Sequence, residues 1–503
     1  MSLMGIDVGT TGCKVVAFDE DGAVLAQAGR EYPLISPQAG WYELDPDQVW
    51  DFVCDCLREV NGQLARDPVS ALSLSSQGEA MTPITREGAV LANSPISSDS
   101  RNRKQTAEME TALGAERIYQ LTGQPMGTIY TLPKILWWRE NAPEILKRTW
   151  KFLCYVDFAA YRLGVEPVID YSMAARTLAF DVNKLDWSDE LLEAGGVRRD
   201  QLARPAPSGT VIGEISRARA EDLGFQGGVK VVTGGHDQPA GALGAGVLEP
   251  GRAMLSIGTT EALVTVTSRP RMEMLDYHLS CYPHAAPGLF ITLGGNQTGG
   301  RLLRWYRDEL GAAERAIAES SGCDIYDVIV EQTDDAPGRL LMLPYFVGSG
   351  TMHDDATATG ALIGMTFDTR RADIVRAVLE GLTYEQALVL RRLHEIGVDI
   401  RHLTAIGGGS RSERWMQIKS DITNLPVSVL HTSEAASLGV AMLAGWATGV
   451  YASLAEAAEQ LIKVRKTFRP RAQHNAHYQR QLTIYGDMYQ ALRPVYQAMA
   501  SKD

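Results

Sequence analysis

Two short stretches half a chain apart constrain what this sequence can fold into. Ile6-Asp7-Val8-Gly9-Thr10-Thr11 lies near the start and Ser256-Ile257-Gly258-Thr259-Thr260-Glu261 near the middle. From Gly9 to Gly258 the step is 249 residues, in a chain of 503. Each stretch ends an apolar run in a Gly-Thr-Thr turn and leads into a second apolar run, the pattern of a hairpin. The echo predicts a duplicated architecture in which one hairpin from each half faces the other. A chain of this length also exceeds what one hydrophobic core supports. No low-complexity linker separates the halves. The boundary is expected near Gly244 to Pro250, giving domains 1–246 and 247–503. No short-period repeat is present, which argues against a solenoid or propeller.

Local patterns fill in the class. The runs Met4 to Val8, Cys13 to Phe18 and Ala23 to Arg30 are separated by Gly-rich and Asp-Gly turns, and read as an antiparallel meander. Asp45-Pro46-Asp47-Gln48 supplies an N-cap, a proline at the first helical position and an amide at the capping-box position, predicting a helix to about Val60. Val69 to Ser75 reads as a strand that delivers Gln77, Gly78 and Glu79 at its end. His402 to Ile406 reads as a strand and Glu413 to Ile422 as a helix, joined by Gly407-Gly408-Gly409-Ser410. Strands and helices mixed throughout predict an α/β protein. The apolar stretch Ala435 to Val450 is shorter than the ~20 residues of a membrane helix, and its Ala and Gly content predicts a buried helix.

Charge and cysteine usage narrow the partners. A net charge of -13 argues against nucleic acid, which needs clustered Lys and Arg to neutralise phosphates, and against an anionic membrane surface. The six cysteines form no C-x-x-C pair, so neither a disulfide framework nor a zinc site is expected. Reduced, buried thiols in a cytoplasmic protein are expected instead. The N-terminus opens directly into a strand pattern, with no basic region and apolar signal core.

Several residues could carry chemistry. A Gly-Thr turn between strands offers N–H groups and hydroxyls to an anion. Asp7 and Lys14 bracket the first such turn; a carboxylate there can hold magnesium through water and a lysine can meet a phosphate. A plain hairpin with a surface lysine is the simpler alternative. Neither G-x-x-x-x-G-K-[ST] nor G-x-G-x-x-G occurs, so a Walker A loop and a Rossmann site lack their fingerprints. Near mid-chain, Gly234-Gly235-His236-Asp237-Gln238-Pro239 ends a strand-like run, and Asp237 could cap a helix or take a proton. His236 has no companion ligands at metal spacing and reads as packed or hydrogen-bonded.

Together these elements resemble the FGGY family of carbohydrate kinases over nearly the whole chain. Gly5-Ile6-Asp7-Val8-Gly9-Thr10-Thr11 with Lys14 is similar to its first phosphate motif, and Gly40-Trp41-Tyr42-Glu43-Leu44-Asp45-Pro46 to the segment entering its first helix. Lys134-Ile135-Leu136-Trp137 resembles the core of one family signature. Gly360-Ala361-Leu362-Ile363-Gly364-Met365, running through Asp373-Ile374 to Ala377-Val378-Leu379-Glu380, resembles a second. Gly407-Gly408-Gly409-Ser410 and Glu434-Ala435-Ala436-Ser437-Leu438-Gly439 resemble the adenosine-site turn and its following helix.

The resemblance implies two actin-like, ribonuclease H-like domains around a central cleft, and ATP-dependent phosphorylation of a small sugar or polyol. It implies that Asp7 helps hold Mg2+, with Thr10, Thr11 and Lys14 around the terminal phosphates and Gly258, Thr259 and Thr260 facing them. It further implies that Gly408, Gly409 and Ser410 line the adenosine pocket, and that Asp237 is the catalytic base. An actin- or Hsp70-like nucleotide switch acting on a protein partner is the alternative; a homodimer is left open.

Substrate contacts are expected from Gln77, Glu79, Asp99, Arg101 and Gln238, since carboxylates and amides bond adjacent hydroxyls. Glu79 and Asp99 could equally be surface acids. After Gln77, xylulose kinases typically show Met-His and glycerol kinases Arg-Glu, whereas this chain has Gly78-Glu79. Ser97-Ser98-Asp99-Ser100-Arg101 resembles a ketose-kinase segment without its tryptophan, and Phe346 to Thr351 lacks the Glu-Arg of many pentulose kinases. A ketose such as xylulose, or a polyol such as glycerol, is the expected acceptor, with room for a larger or branched one.

Overall fold

The computed structural model describes residues 2–64 and 66–501. Two large sheets carry the fold. In the first, β1 (Ser2–Val8), β2 (Gly12–Phe18) and β3 (Val24–Glu31) form the expected antiparallel meander. β4 (Val69–Ser76) joins β1 in parallel, β6 (Lys230–His236) joins β4 in parallel, and β5 (Val211–Glu214) closes the edge antiparallel to β6. The order is β3-β2-β1-β4-β6-β5.

The second sheet repeats this plan. β7 (Arg252–Ile257) pairs antiparallel with β8 (Glu261–Thr267), which pairs antiparallel with β10 (Phe290–Asn296). β11 (His402–Ile406) lies parallel to β7, β12 (Val427–Leu430) parallel to β11, and β13 (Val464–Phe468) antiparallel to β12. β9 (Ser280–Pro283) is an extra strand on the β10 edge. Strand for strand, the order and sense match the first sheet, so the Gly-Thr-Thr echo marks two equivalent hairpins.

The helix α1 (Pro46–Gln63) begins as the sequence predicts: the Asp45 carboxylate accepts from the N–H groups of Asp47 and Gln48, and proline opens the first turn. It runs three residues past Val60. α2 (Tyr171–Ala175) is one short turn capped by Asp170. Two further helices occupy equivalent places, following the equivalent strands β6 and β12: α3 (Asp237–Gly244) and α8 (Ala435–Ala447). Between them in sequence come α4 (Gly300–Glu309), α5 (Ile325–Glu331), α6 (Arg371–Glu395) and α7 (Glu413–Thr423). A long α9 (Ala472–Ala500) packs last, against α6 and α7.

α3 and α8 cross the seam between the sheets and meet each other. Their contact is reciprocal and antiparallel. A Cβ added at Gly439 would stand 2.0 Å from the Ala240 carbonyl oxygen, and one at Gly244 would stand 2.0 Å from that of Ala435. Only glycine permits so close an approach of backbones. α8 also lies on β1, where a Cβ at Gly5 would come 2.0 Å from the Ser437 carbonyl oxygen. Leu438, Leu443, Ala444 and Tyr451 accordingly share a core with Leu3, Val16, Phe18, Val232 and Leu243. Within the Ala435 to Val450 stretch, Ala435–Ala447 is thus a largely buried helix, as the composition predicts.

Five cysteines are free and buried, but Cys323 is exposed, a departure from the expected pattern. Among the described residues no helix is long and apolar enough to cross a membrane.

Candidate active site

The two hairpin turns differ in their surroundings. In the first, the Gly9 N–H donates to the Gly12 carbonyl at 2.9 Å, leaving Thr11 exposed at the tip and Thr10 half-buried. Gln77, at the end of β4, braces this turn. Its Oε1 accepts from the Thr10 hydroxyl at 3.0 Å and its Nε2 donates to the Gly9 carbonyl at 3.3 Å. Its amide thus holds the turn through both its oxygen and its nitrogen. Asp7 and Lys14 face one another across β1 and β2. Ser75 Oγ donates to Asp7 Oδ1 at 2.7 Å, and Lys14 Nζ pairs with Glu434 Oε2 at 2.7 Å. Burial pushes the Asp7 carboxyl up to about 6; the Ser75 bond opposes this, Glu434 adds to it and Lys14 opposes it.

The second turn, with Gly258, Thr259 and Thr260 exposed, faces a cavity of about 650 Å³, within the range of small-molecule sites. Gly258, Thr259, Gly408 and Gly409 line it; Thr260 and Ser410 do not. Ser410 is buried and donates to the Gly407 carbonyl at 2.7 Å, so its hydroxyl closes its own turn, and Arg411 and Ser412 take its place on the wall. The three glycines of that turn differ in their reasons. Gly407 has φ +83°, in the left-handed region. A Cβ at Gly409 would collide with Ile257 Cγ2 at 2.2 Å and Trp415 Cζ3 at 2.9 Å, whereas Gly408 meets nothing within 4 Å. Sequence reasoning missed the rest of the wall: Arg301 and Arg304 on α4, Tyr326 on α5 and Trp415 on α7. Gly299 and Gly300 at the start of α4 were the available signal.

Asp237 begins α3 but does not cap it. His236 holds the cap position without a side-chain cap bond, and Asp237 is the first helical residue, which corrects the capping expectation. Its Oδ1 has no hydrogen-bond partner among the described residues and lies 3.1 Å from His236 Nε2. Burial pushes the Asp237 carboxyl up to about 7, helped by the negative charges of Asp7 and Glu79 and opposed by the Gln238 N–H and Arg176. Gln238 Oε1 is likewise buried and unpartnered among the described residues. His236 is fixed from two sides. Its N–H donates to Ser172 Oγ at 3.0 Å, Ser172 is in turn held by Asp170, and its Nδ1 pairs with Tyr282 Oη at 2.9 Å. Burial and Arg176 hold its ring neutral, well below the usual histidine range. It is a packed, hydrogen-bonded histidine, as expected. Tyr282 sits on β9, so this bond ties the end of β6 to the second sheet.

Glu79 is held by its backbone. It has φ +65°, and the Ala80 N–H donates to the Gly78 carbonyl at 2.7 Å, which makes the rare positive-φ γ-turn. Such strain gathers at functional sites. Thr131 Oγ1 pins the Glu79 carbonyl at 2.8 Å, and Arg176 Nε donates to Glu79 Oε1 at 2.5 Å. Asp99 and Arg101 come together elsewhere. Asp99 is buried and the Arg101 side chain is only 3% exposed; Arg101 Nε donates to the Asp99 carboxylate at 2.9 Å and its Nη2 to Glu43 Oε1 at 2.6 Å, and the Tyr42 N–H donates to Asp99 Oδ2 at 2.8 Å. The guanidinium stacks on Trp41 at 4.0 Å. Asp99 and Arg101 thus hold each other, Gln77 holds the first hairpin and Glu79 pairs with Arg176, whereas Gln238 Oε1 has no partner among the described residues.

Comparison with known proteins gives a consistent result. Residues 2–244 match the profile described as FGGY family of carbohydrate kinases, N-terminal domain, and residues 253–448 match that of the C-terminal domain. The chain is 30% identical over 497 residues to the xylulose kinase of Escherichia coli K12, covering 98% of this chain and 99% of that one. It is 29% identical over 502 residues to the autoinducer-2 kinase of Klebsiella pneumoniae, covering 96% and 94%. The crystal structure of gluconate kinase from Lactobacillus acidophilus superposes with a TM-score of 0.90 at 26% identity, covering 99% of each chain.

Proposed function

The chain belongs to the FGGY family of carbohydrate kinases, and on that premise we propose that it phosphorylates a ketose with ATP and Mg2+, using Asp237 as general base. Xylulose is the first acceptor to test, a choice supported by the likeness to xylulose kinases across nearly the whole length. As a family member the chain is an enzyme, a carbohydrate kinase; the nucleotide-switch alternative is not favoured. We assign residues 1–246 to the acceptor-binding domain and 247–503 to the nucleotide-binding domain. A cytoplasmic location belongs to the same reading, supported by six free cysteines.

One observation carries the assignment of the base. Asp237 presents a carboxylate that is 31% exposed, at a helix start beside the first hairpin, with its buried Oδ1 turned to His236. In this reading the acceptor hydroxyl lies against the exposed part of that carboxylate. As its oxygen attacks the terminal phosphorus of ATP, its proton passes to Asp237 and ADP leaves. Phosphoryl transfer runs mainly on positioning and charge stabilisation, so a carboxylate with its pKa near 7 is a sufficient base. Thr10, Thr11 and Lys14 would meet the terminal phosphates from one side and Gly258, Thr259 and Thr260 from the other. Gly408 and Gly409 would line the adenosine cavity with Tyr326 and Trp415, while Ser410 supports the turn from behind.

The donor set fits magnesium carried in with the nucleotide. Among the described residues no three His, Cys, Asp or Glu side chains could hold a metal, and Asp7 is a single half-buried carboxylate at the phosphate turn. Mg2+ commonly binds through one or two carboxylates plus phosphates and water. When bound it would neutralise charge on the transferring phosphoryl group.

Coupled ADP-release assays over pentuloses, hexuloses, tetritols, glycerol and gluconate test this reading. Xylulose-dependent turnover should fall about 10²- to 10⁴-fold in Asp237→Asn. Near wild-type turnover of that variant would remove Asp237 from its role.

A further inference from the structure

Arg176 is the charged group beside the base that the reaction above leaves unused. It follows α2, one turn beyond the Asp170 and Ser172 that brace His236, and is 5% exposed. Nε donates to Glu79 Oε1 at 2.5 Å and Nη1 to Gln124 Oε1 at 2.9 Å, and the guanidinium faces the rings of Tyr130 and Tyr282. A buried ion pair is a poor stabiliser, because desolvating two charges offsets their attraction. Here it coincides with a second cost, the positive-φ turn at Glu79. Both features converge on one result, the aim of the Glu79 carboxylate.

The geometry connects this pair to the base. A Cβ at Gly78 would stand 3.4 Å from Arg176 Nε and 3.0 Å from His236 Nε2, and His236 Nε2 is 3.1 Å from Asp237 Oδ1. Gly78 and His236 thus stand between the guanidinium and Asp237, and glycine at 78 keeps a side chain out of that close contact. The local cations are already spent. Arg176 is neutralised by Glu79, Lys14 by Glu434, and the buried Lys134 ammonium donates to the carbonyls of Ile96 and Ile129 at 2.7 Å. With Glu79 already balanced by Arg176, the carboxylates of Asp7 and Asp237 leave the surroundings negative.

We propose that Arg176 is the positioning residue that fixes Glu79 as reader of the acceptor's non-reacting hydroxyls, and that the pair selects an uncharged polyhydroxyl acceptor over an aldonate. The inference rests on the reading of Asp237 as base toward a sugar hydroxyl.

The test is steady-state kinetics of wild type, Glu79→Gln, Arg176→Lys, Arg176→Met and the Glu79→Gln/Arg176→Met double variant, with xylulose and with gluconate, after thermal melts establish folding. Arg176→Met should raise the xylulose KM about tenfold or more while the ATP KM stays within about twofold. Arg176→Lys, which keeps the charge and loses the fork, should recover part of this. Because Arg176 acts through Glu79, the double variant should be no worse than the poorer single one. Wild type should use gluconate far less well than xylulose. An unchanged xylulose KM in Arg176→Lys and Arg176→Met, multiplying losses in the double variant, or equal use of gluconate overturns the proposal. If Arg176→Met does not fold, the lysine variant and the charge-balanced double variant decide. A wild type that phosphorylates no neutral sugar overturns the premise and this inference with it; an active wild type indifferent to position 176 overturns the inference alone.

Discussion

At the scale of single residues, the site is a gathering of carboxylates. Asp237 is faced by Asp7 from β1, Glu79 after β4, Arg176 after α2, Tyr282 from β9 and its neighbour His236, and burial with two negative neighbours brings its carboxyl to about 7. A base must be ionised, so kcat/KM should fall as pH drops through about 7, and Glu79→Gln should move that limb to lower pH by removing one negative charge. A pH-rate profile checks both. The same shift has a consequence for stability, and its sign is opposite to that of a salt-bridged aspartate. A carboxyl raised on folding contributes stability below its unfolded value, 3.8, and loses it as pH rises through about 7. Asp237→Asn should therefore melt above wild type at pH 8, with the difference closing near pH 4, as read by calorimetry. Loss of that gain would mean the carboxylate is better solvated than its surroundings suggest.

At the scale of elements, glycines divide by what surrounds them. Gly439 and Gly244 let α3 and α8 touch backbone to backbone, 2.0 Å being the distance a Cβ would have from a carbonyl oxygen. Gly439→Ala should cost at least about 1–3 kcal/mol, the scale of overpacking, and lower the melting temperature. Gly62, near the end of α1, meets nothing within 4 Å. Gly62→Ala should instead stabilise by about 0.4–1 kcal/mol, chiefly by restricting the unfolded chain. Denaturant melts of the two variants should move in opposite directions. The first contact was invisible in sequence because it joins residues about two hundred positions apart; α1 was legible because its cap, proline and apolar period are neighbours in the chain.

At the scale of the molecule, the repeat is complete in strand order but the repeats do not stand alone. α8, far down the chain, covers β1 and shares a core with Leu3, Phe18 and Val232. A fragment of residues 1–246 should accordingly expose that face and show no cooperative melt by circular dichroism, while the full chain unfolds cooperatively. A well-folded fragment would show that α8 is dispensable to the first sheet. What the sequence determined by itself was whatever is set by near neighbours: the two Gly-Thr-Thr hairpins, the meander, the capped first helix, the Gly-rich turn before α7 and the family resemblance carried by their order. Turn chemistry and side-chain period act over a few residues, so they can be read directly. The fates of the polar side chains could not be. Gln77 turned to the hairpin, Asp99 took Arg101 and Tyr42, Ser410 closed its own turn, Lys14 found Glu434, and Arg176 reached Glu79 across 97 positions. A buried polar group must take whatever partner the packed chain brings within hydrogen-bond reach. Tertiary structure alone decides which one that is.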